Sequence, residues 1–184
     1  MPEKSEDVVL IDDFNGGVRS NLLGGAMGAW LKDDADDTQS CEIDFVERPH
    51  LGKSGYSMQI NYDVDSPNPA YNGVWIKLEG FDARPYKFLV LYLKTPNQAP
   101  YCTDKLKLEL RNEKKEMGSF LIKRIPRGVW REYKIPLSKF RGVKDWRALD
   151  EPVVVFEDKS ANPKEGIVYL ENIYFTKGEI RRPS

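Results

Sequence analysis

The sequence predicts an all-β fold, one antiparallel β-sandwich, on three observations. Apolar residues recur with period two, Gly and Pro interrupt the apolar runs at regular intervals, and no long stretch carries the period of an amphipathic helix. In an extended chain, successive side chains point to opposite faces, so strict alternation marks a strand with one dry and one wet side.

Cys41, Ile43 and Phe45 alternate with Glu42 and Asp44, and Met58, Ile60, Tyr62 and Val64 alternate with Gln59, Asn61 and Asp63. Val74, Ile76 and Leu78 alternate in the same way with Trp75, Lys77 and Glu79. The stretch Lys87–Thr95 is apolar on both faces and predicts a central strand. Leu106, Leu108 and Leu110 then alternate with Lys107, Glu109 and Arg111. Further strands are expected near Ser119–Ile125, Trp130–Ile135, Pro152–Glu157 and Gly166–Phe175, with one short helical turn around Trp146. Asn15-Gly16-Gly17, Gly24-Gly25, Ser66-Pro67-Asn68-Pro69, Pro96-Asn97 and Asn162-Pro163 are turn signals. The prolines, Pro136 and Pro152 among them, are placed at strand edges, where a missing ladder donor costs little.

A chain of 184 residues suits one domain, taken here as 1–184 with its core at about 8–177 and loose ends. At that length it buries roughly 70% of its unfolded surface and needs no staple. Its 28 basic residues are offset by 29 acidic ones, so neither nucleic acid nor an anionic membrane is an expected partner. No apolar run approaches the roughly 18 residues that span a bilayer. Met1–Asp7 lacks the apolar centre of a signal peptide, which leaves the compartment open between the cytoplasm and export with a removed leader.

Cys41 and Cys102 lack metal or redox spacing, and Cys41, inside an alternating run, is expected in the core. The single histidine, His50, beside Pro49 in a turn, rules out a multi-histidine metal site and a histidine triad within this chain. There is no GxSxG elbow and no phosphate-binding glycine loop. Carboxylates are abundant, but wet strand faces account for them, so no enzyme is expected.

Two segments are less generic. One is Leu10–Gly17 (LIDDFNGG) with Asn21–Gly25 and Gly28-Ala29-Trp30; the other is Trp130–Phe140 (WREYKIPLSKF), Val153–Glu157 and Ile167–Phe175 (IVYLENIYF). With Asn72–Leu78 (NGVWIKL) they resemble bacterial carbohydrate-binding modules of the galactose-binding-like jelly-roll group, family-11 modules among them. The resemblance spans nearly the whole chain in the expected order. It implies a jelly-roll sandwich that binds a polysaccharide or oligosaccharide without catalysis. The same outline is similar to the complex I intermediate-associated protein family, which would imply an assembly factor with a protein partner. Only Gly24-Gly25 echoes the glycine- and serine-rich element of that second family.

The resemblance also implies a structural calcium ion where the first and last strands meet. The corresponding positions are Asn15 and Glu171-Asn172, all oxygen donors of the kind calcium takes; Asn15 and Asn172 stand where acidic residues are usual, and Asp13, Asp12, Asp33 or Asp34 could supply the missing charge. For the glycan, the resemblance implies the concave sheet, on side chains pointing away from the core. By alternation these are Trp75, Lys77 and Glu79 on one strand and Lys107, Glu109 and Arg111 on another, with Tyr71 and Tyr101 in flanking loops. Trp75 serves either as a stacking platform or lies under a loop or strand; the charged ladder holds a ligand or simply pairs across strands. Trp30 is assigned to the core, Trp130 to packing and Trp146 to plugging one end of the sandwich. Phe88, Tyr92, Phe156 and Phe175 are assigned to the core as well.

Overall fold

In a computed structural model, which describes residues 7–178, the chain is an antiparallel β-sandwich. The strands are β1 Val8–Asp12, β2 Met27–Leu31, β3 Ser40–Val46, β4 Ser57–Asp63, β5 Tyr71–Ile76 and β6 Phe88–Lys94. They continue as β7 Lys105–Asn112, β8 Met117–Lys123, β9 Arg131–Pro136, β10 Leu149–Glu157 and β11 Glu165–Thr176. One sheet runs β3-β4-β11-β6-β9, with β1 pairing the far half of β11, and the other runs β2-β5-β10-β7-β8. This is the all-β sandwich expected from the alternation.

The alternating apolar sets meet between the sheets. Leu106, Leu108 and Leu110 of β7 face Ile60 and Tyr62 of β4, Leu89, Leu91 and Leu93 of β6 and Phe175 of β11 within one buried cluster. Each such side chain contributes roughly 1.5–3 kcal/mol by leaving water. Cys41 and Cys102 are buried free thiols, as expected for Cys41, and burial pushes the Cys41 thiol up to about 12.

Several expectations are corrected. The helical turn forms at Leu137–Lys139, where Pro136 (φ −59°) presets the entry and the Phe140 N–H closes on the Leu137 carbonyl. Trp146 itself is irregular but half-buried against the core, consistent with plugging an end. Phe156 and Phe175 are core, whereas Phe88 and Tyr92 fall on the outer register of β6, and Lys134 caps the Phe88 ring at 4.5 Å. β6 lies between β11 and β9, the central place expected for Lys87–Thr95, with Leu89, Leu91 and Leu93 in the core and Val90 buried on the opposite face. Pro152 sits inside β10, a central strand, just beyond a register shift at Leu149/Glu151, the kind of irregularity that tolerates a missing N–H. The expected loose ends lie largely outside the described residues; Asp7 and Lys177 are held, since the Lys177 N–H donates to the Asp7 carbonyl at 2.9 Å.

Candidate functional site

The register of the β2-β5-β10-β7-β8 sheet sets which side chains share its outer face. One row across the strands is Gly28, Trp75, Val153, Glu109 and Ser119; the next is Trp30, Gly73, Val155, Lys107 and Leu121. On the other side of the first row, Glu151 stands opposite Arg111, which pairs with Met117. Lys77, one residue past β5, reaches Glu151 at 2.8 Å. Between these rows lies a depression of about 390 Å³ lined by Trp30, Tyr71, Trp75, Lys77, Arg111, Glu151 and Val153.

Its geometry follows from two glycines. A Cβ on Gly28 would come 2.7 Å from Cζ2 of Trp75, so the indole occupies the space a side chain there would take. Gly73, between Trp30 and Val155, lets the β10 main chain close in, since a Cβ there would come 1.7 Å from the Val154 carbonyl oxygen. Trp30 meets the ring of Tyr71 edge-on, with centroids 5.7 Å apart, and Tyr71 is 40% exposed. The Trp30 Nε1 is buried without an acceptor. One half of the depression is therefore aromatic.

The other half is an ion-pair chain. Lys77 bridges Asp150 at 3.0 Å and Glu151 at 2.8 Å, and Arg111 bridges Glu151 at 3.5 Å and Glu109 at 2.5 Å. Lys107 bridges Glu109 at 3.3 Å and Glu157 at 2.5 Å. Glu109 and Glu151 are buried, each between two cations. Partial burial presses the Lys77 and Lys107 ammonium groups down, but their carboxylate partners outweigh it and hold both above the ordinary lysine value. The chain thus presents fixed charged donors and acceptors beside an aromatic wall, a combination suited to a polyhydroxylated ring.

Of the expected ligand residues, Trp75, Lys77, Arg111 and Tyr71 line this depression, and Lys107 and Glu109 continue its ladder. Glu79 does not join them: β5 ends at Ile76, and Glu79 (φ 55°) and Gly80 (φ 70°) turn the chain away. Tyr101 stacks under the Arg127 guanidinium at 3.6 Å, and its carbonyl packs on Gly166, outside the depression. Trp30, assigned to the core, stands on the outer face instead. Met27, Ala29 and Leu31 form the inward set of β2, and that period-two signal was available to place Trp30 outward.

The four expected metal positions also come together. Asp13, Asn15, Glu171 and Asn172 line a second hollow of about 330 Å³ with Leu51 and Tyr174. Asx-type contacts shape the strand end, with the Phe14 N–H on Asp12 and the Asn15 N–H on Asp13. Asn172 (φ 47°) marks the register shift in β11, just after Glu171, which stands opposite Tyr92 and is covered by the segment whose Leu51 N–H donates to its carboxylate. Glu171 is 2% exposed, and burial pushes its carboxyl up to about 7 against the pull of the Leu51 N–H and His50, with Asp13 adding to the rise. Burial likewise raises Asp12 to about 6. Among the described residues no group of three or more His, Cys, Asp or Glu is gathered to hold a metal. The donor set is oxygen only, with amides completing the two carboxylates, and a hard cation would offset the cost of the buried Glu171 charge.

No protein-family model matches the chain, and no curated protein matches it. Solved structures do. The family 11 carbohydrate-binding module from Clostridium thermocellum, in complex with a β-1,3-1,4-mixed-linked tetrasaccharide, superposes with a TM-score of 0.69 at 17% identity, over 94% of this chain and 96% of that one. The C-terminal family 22 carbohydrate-binding module of Clostridium thermocellum Xyn10B superposes with a TM-score of 0.57 at 15% identity, over 99% of this chain and all of that one (100%). A β-1,2-glucanase from Parabacteroides distasonis matches 94% of this chain with only 26% of its own, at a TM-score of 0.60 and 14% identity. The fold is therefore that of the jelly-roll sandwiches found in carbohydrate-binding modules. Whole modules of that kind are matched end to end, whereas in the glucanase the sandwich is one part of a larger chain.

Proposed function

We propose that this chain is a non-catalytic carbohydrate-binding module that takes a polysaccharide or oligosaccharide on the outer face of the β2-β5-β10-β7-β8 sheet. The observation that carries this is the juxtaposition of Trp75, half-buried on that face, with the ladder of Lys77, Glu151 and Arg111 in one depression. A pyranose presents apolar C–H groups on one face and hydroxyls around its edge. The indole would take the first, while the carboxylates and guanidinium accept from and donate to the second. Glu109 and Glu151, the buried carboxylates of the face, are committed to Lys77, Lys107 and Arg111, which supports binding rather than hydrolysis. The likeness to sugar-binding modules over their full length supports the same choice.

A structural calcium ion belongs to the same proposal. Asp13, Asn15, Glu171 and Asn172 would hold it, and its charge would offset the buried carboxylates where β1 meets β11. Titration against soluble polysaccharides, followed by tryptophan fluorescence, tests the function. Saturable binding that Trp75→Ala removes supports it; no response to any glycan from the folded protein overturns it in favour of a protein-binding scaffold.

A further inference from the structure

The far end of the sandwich, beyond β5, β7 and β9, carries a second concave region built on Trp146. Its main chain is clamped by neighbouring loops: the Ala83 N–H donates to the Trp146 carbonyl at 2.9 Å, and Asn112 Nδ2 to the Asp145 carbonyl at 2.9 Å. The half-buried indole separates two hollows of about 570 and 540 Å³, and Arg84 lines both. The second hollow has aromatic walls in Tyr86 and Phe88.

The first hollow is lined by four cationic side chains, Arg84, Lys114, Lys144 and Arg147, against two anionic ones, Glu116 and Asp145. Both anions are already engaged within the protein. Glu116 Oε2 accepts from the Lys144 and Asp145 N–H groups at 2.9 Å and from Asn112 at 2.7 Å. Asp145 holds Lys114 at 2.5 Å and Arg147 at 2.8 Å. Among the described residues Lys144 makes no ion pair, while Arg84 turns to Asp82 at the rim. Counted with their ion-pair partners, the four cations here meet three carboxylates, Asp82 included, whereas around Trp75 three cations meet four carboxylates.

We propose that this end is a second binding site, separate from the Trp75 depression, for an acidic oligosaccharide. Its uronate carboxylates would face Lys144 and Arg84, and a sugar ring would lie against Trp146. An acidic peptide would meet the same cations, but the indole beside them offers a flat apolar face suited to a sugar ring.

Calorimetric titration with trigalacturonate, and with its fully methyl-esterified, uncharged counterpart, tests this on the wild-type chain and on three variants. Because Trp146 packs on the core, the exposed Lys144→Glu and Arg84→Gln variants probe the site without threatening the fold. The expected result is binding of trigalacturonate about tenfold tighter than of the ester, weakened about tenfold by Lys144→Glu, weakened again at high salt, and unchanged in Trp75→Ala. Loss of uronate binding in Trp75→Ala with Lys144→Glu unaffected would place the anion on the sheet face and overturn the proposal. No heat with about 10 mM trigalacturonate, or tighter binding of a poly-glutamate peptide in the same titration, would overturn it as well.

Discussion

The indole of Trp75 lies over Gly28, its cross-strand partner on β2, close enough that a Cβ at position 28 would stand 2.7 Å from Cζ2. The absence of a side chain on the edge strand is what lets an aromatic ring lie along the sheet. Gly28→Val should therefore displace the ring while leaving the core, which Gly28 does not enter, in place. The expected outcome is a glycan affinity lowered about tenfold or more, with a melting shift far smaller than a core truncation gives. Trp75→Ala in the same titration should lose about 2 kcal/mol or more of binding free energy, as a central aromatic anchor does. Full affinity in Gly28→Val would show that the ring does not need this seat.

The ion-pair chain makes a second prediction because its members differ in exposure. The Glu109 side chain is 7% exposed and shared by Lys107 and Arg111, whereas Lys107 is 28% exposed and has a second partner in Glu157. Glu109→Gln should destabilise the fold by about 1–3 kcal/mol, since it strips charge from a buried hub and leaves two cations short of a partner. Lys107→Met should cost less than about 1 kcal/mol. Urea denaturation of both variants checks the order, and equal effects would refute a hub role for Glu109.

How far the site was legible follows from the same residues. Alternation placed Lys107, Glu109 and Arg111 on one face because β7 is regular from end to end. It misplaces Glu79 because alternation carries no mark of where a strand stops: β5 ends at Ile76, and the left-handed pair Glu79-Gly80 turns the chain away. Glu151 joined the ladder unannounced: β10 is buried on both faces, so its apolar run has no period to show which side Glu151 takes. Trp30, expected in the core, is legible as outward from the period-two set Met27, Ala29 and Leu31. Tyr101 and its partner Arg127 come together through the fold, which no local pattern records.

The calcium ion proposed for the β1–β11 junction, if bound only by the folded state, would raise stability by mass action. At a concentration about 100 times its dissociation constant it adds about 2.7 kcal/mol. That corresponds to a melting point higher by roughly 5–10 °C in calcium than in chelator for a chain of this size. Glu171→Gln should abolish most of that increment. Identical melting curves in calcium and chelator would remove the ion from the proposal.

Asp36, in the loop before β3, gives the pH dependence. The Thr38 hydroxyl at 2.5 Å and the Gln39 amide at 3.0 Å both donate to its carboxylate, and with the Thr38 N–H they hold it down at about 2 against an ordinary 3.8. A depressed carboxyl binds fewer protons folded than unfolded, so its stabilisation is complete above the unfolded value and is lost as pH falls through about 2. Urea midpoints measured from pH 5 down to pH 2 should fall more steeply for the wild type than for Asp36→Asn, which has no proton to take up. Parallel curves would mean the loop contributes nothing to acid sensitivity.

Tyr62 carries the last prediction, because its ring and its hydroxyl do separate jobs. The ring stacks on Phe156 with centroids 4.0 Å apart and an interplanar angle of 4°, joining the two sheets through the core. The hydroxyl donates to the Pro163 carbonyl at 2.8 Å and accepts the Thr103 N–H at 2.7 Å, tying the β10–β11 turn to the segment before β7. Tyr62→Phe keeps the stack but leaves the buried Thr103 N–H, and with it the Pro163 carbonyl, without their partner, at about 1–3 kcal/mol. The melting point should fall by roughly 2–10 °C. Tyr169→Phe is the control, because among the described residues its hydroxyl, on the outer register of β11, makes no hydrogen bond, so its melting point should barely move. If the two variants melt together, the bridge between the Pro163 turn and Thr103 does not hold that end of the sandwich.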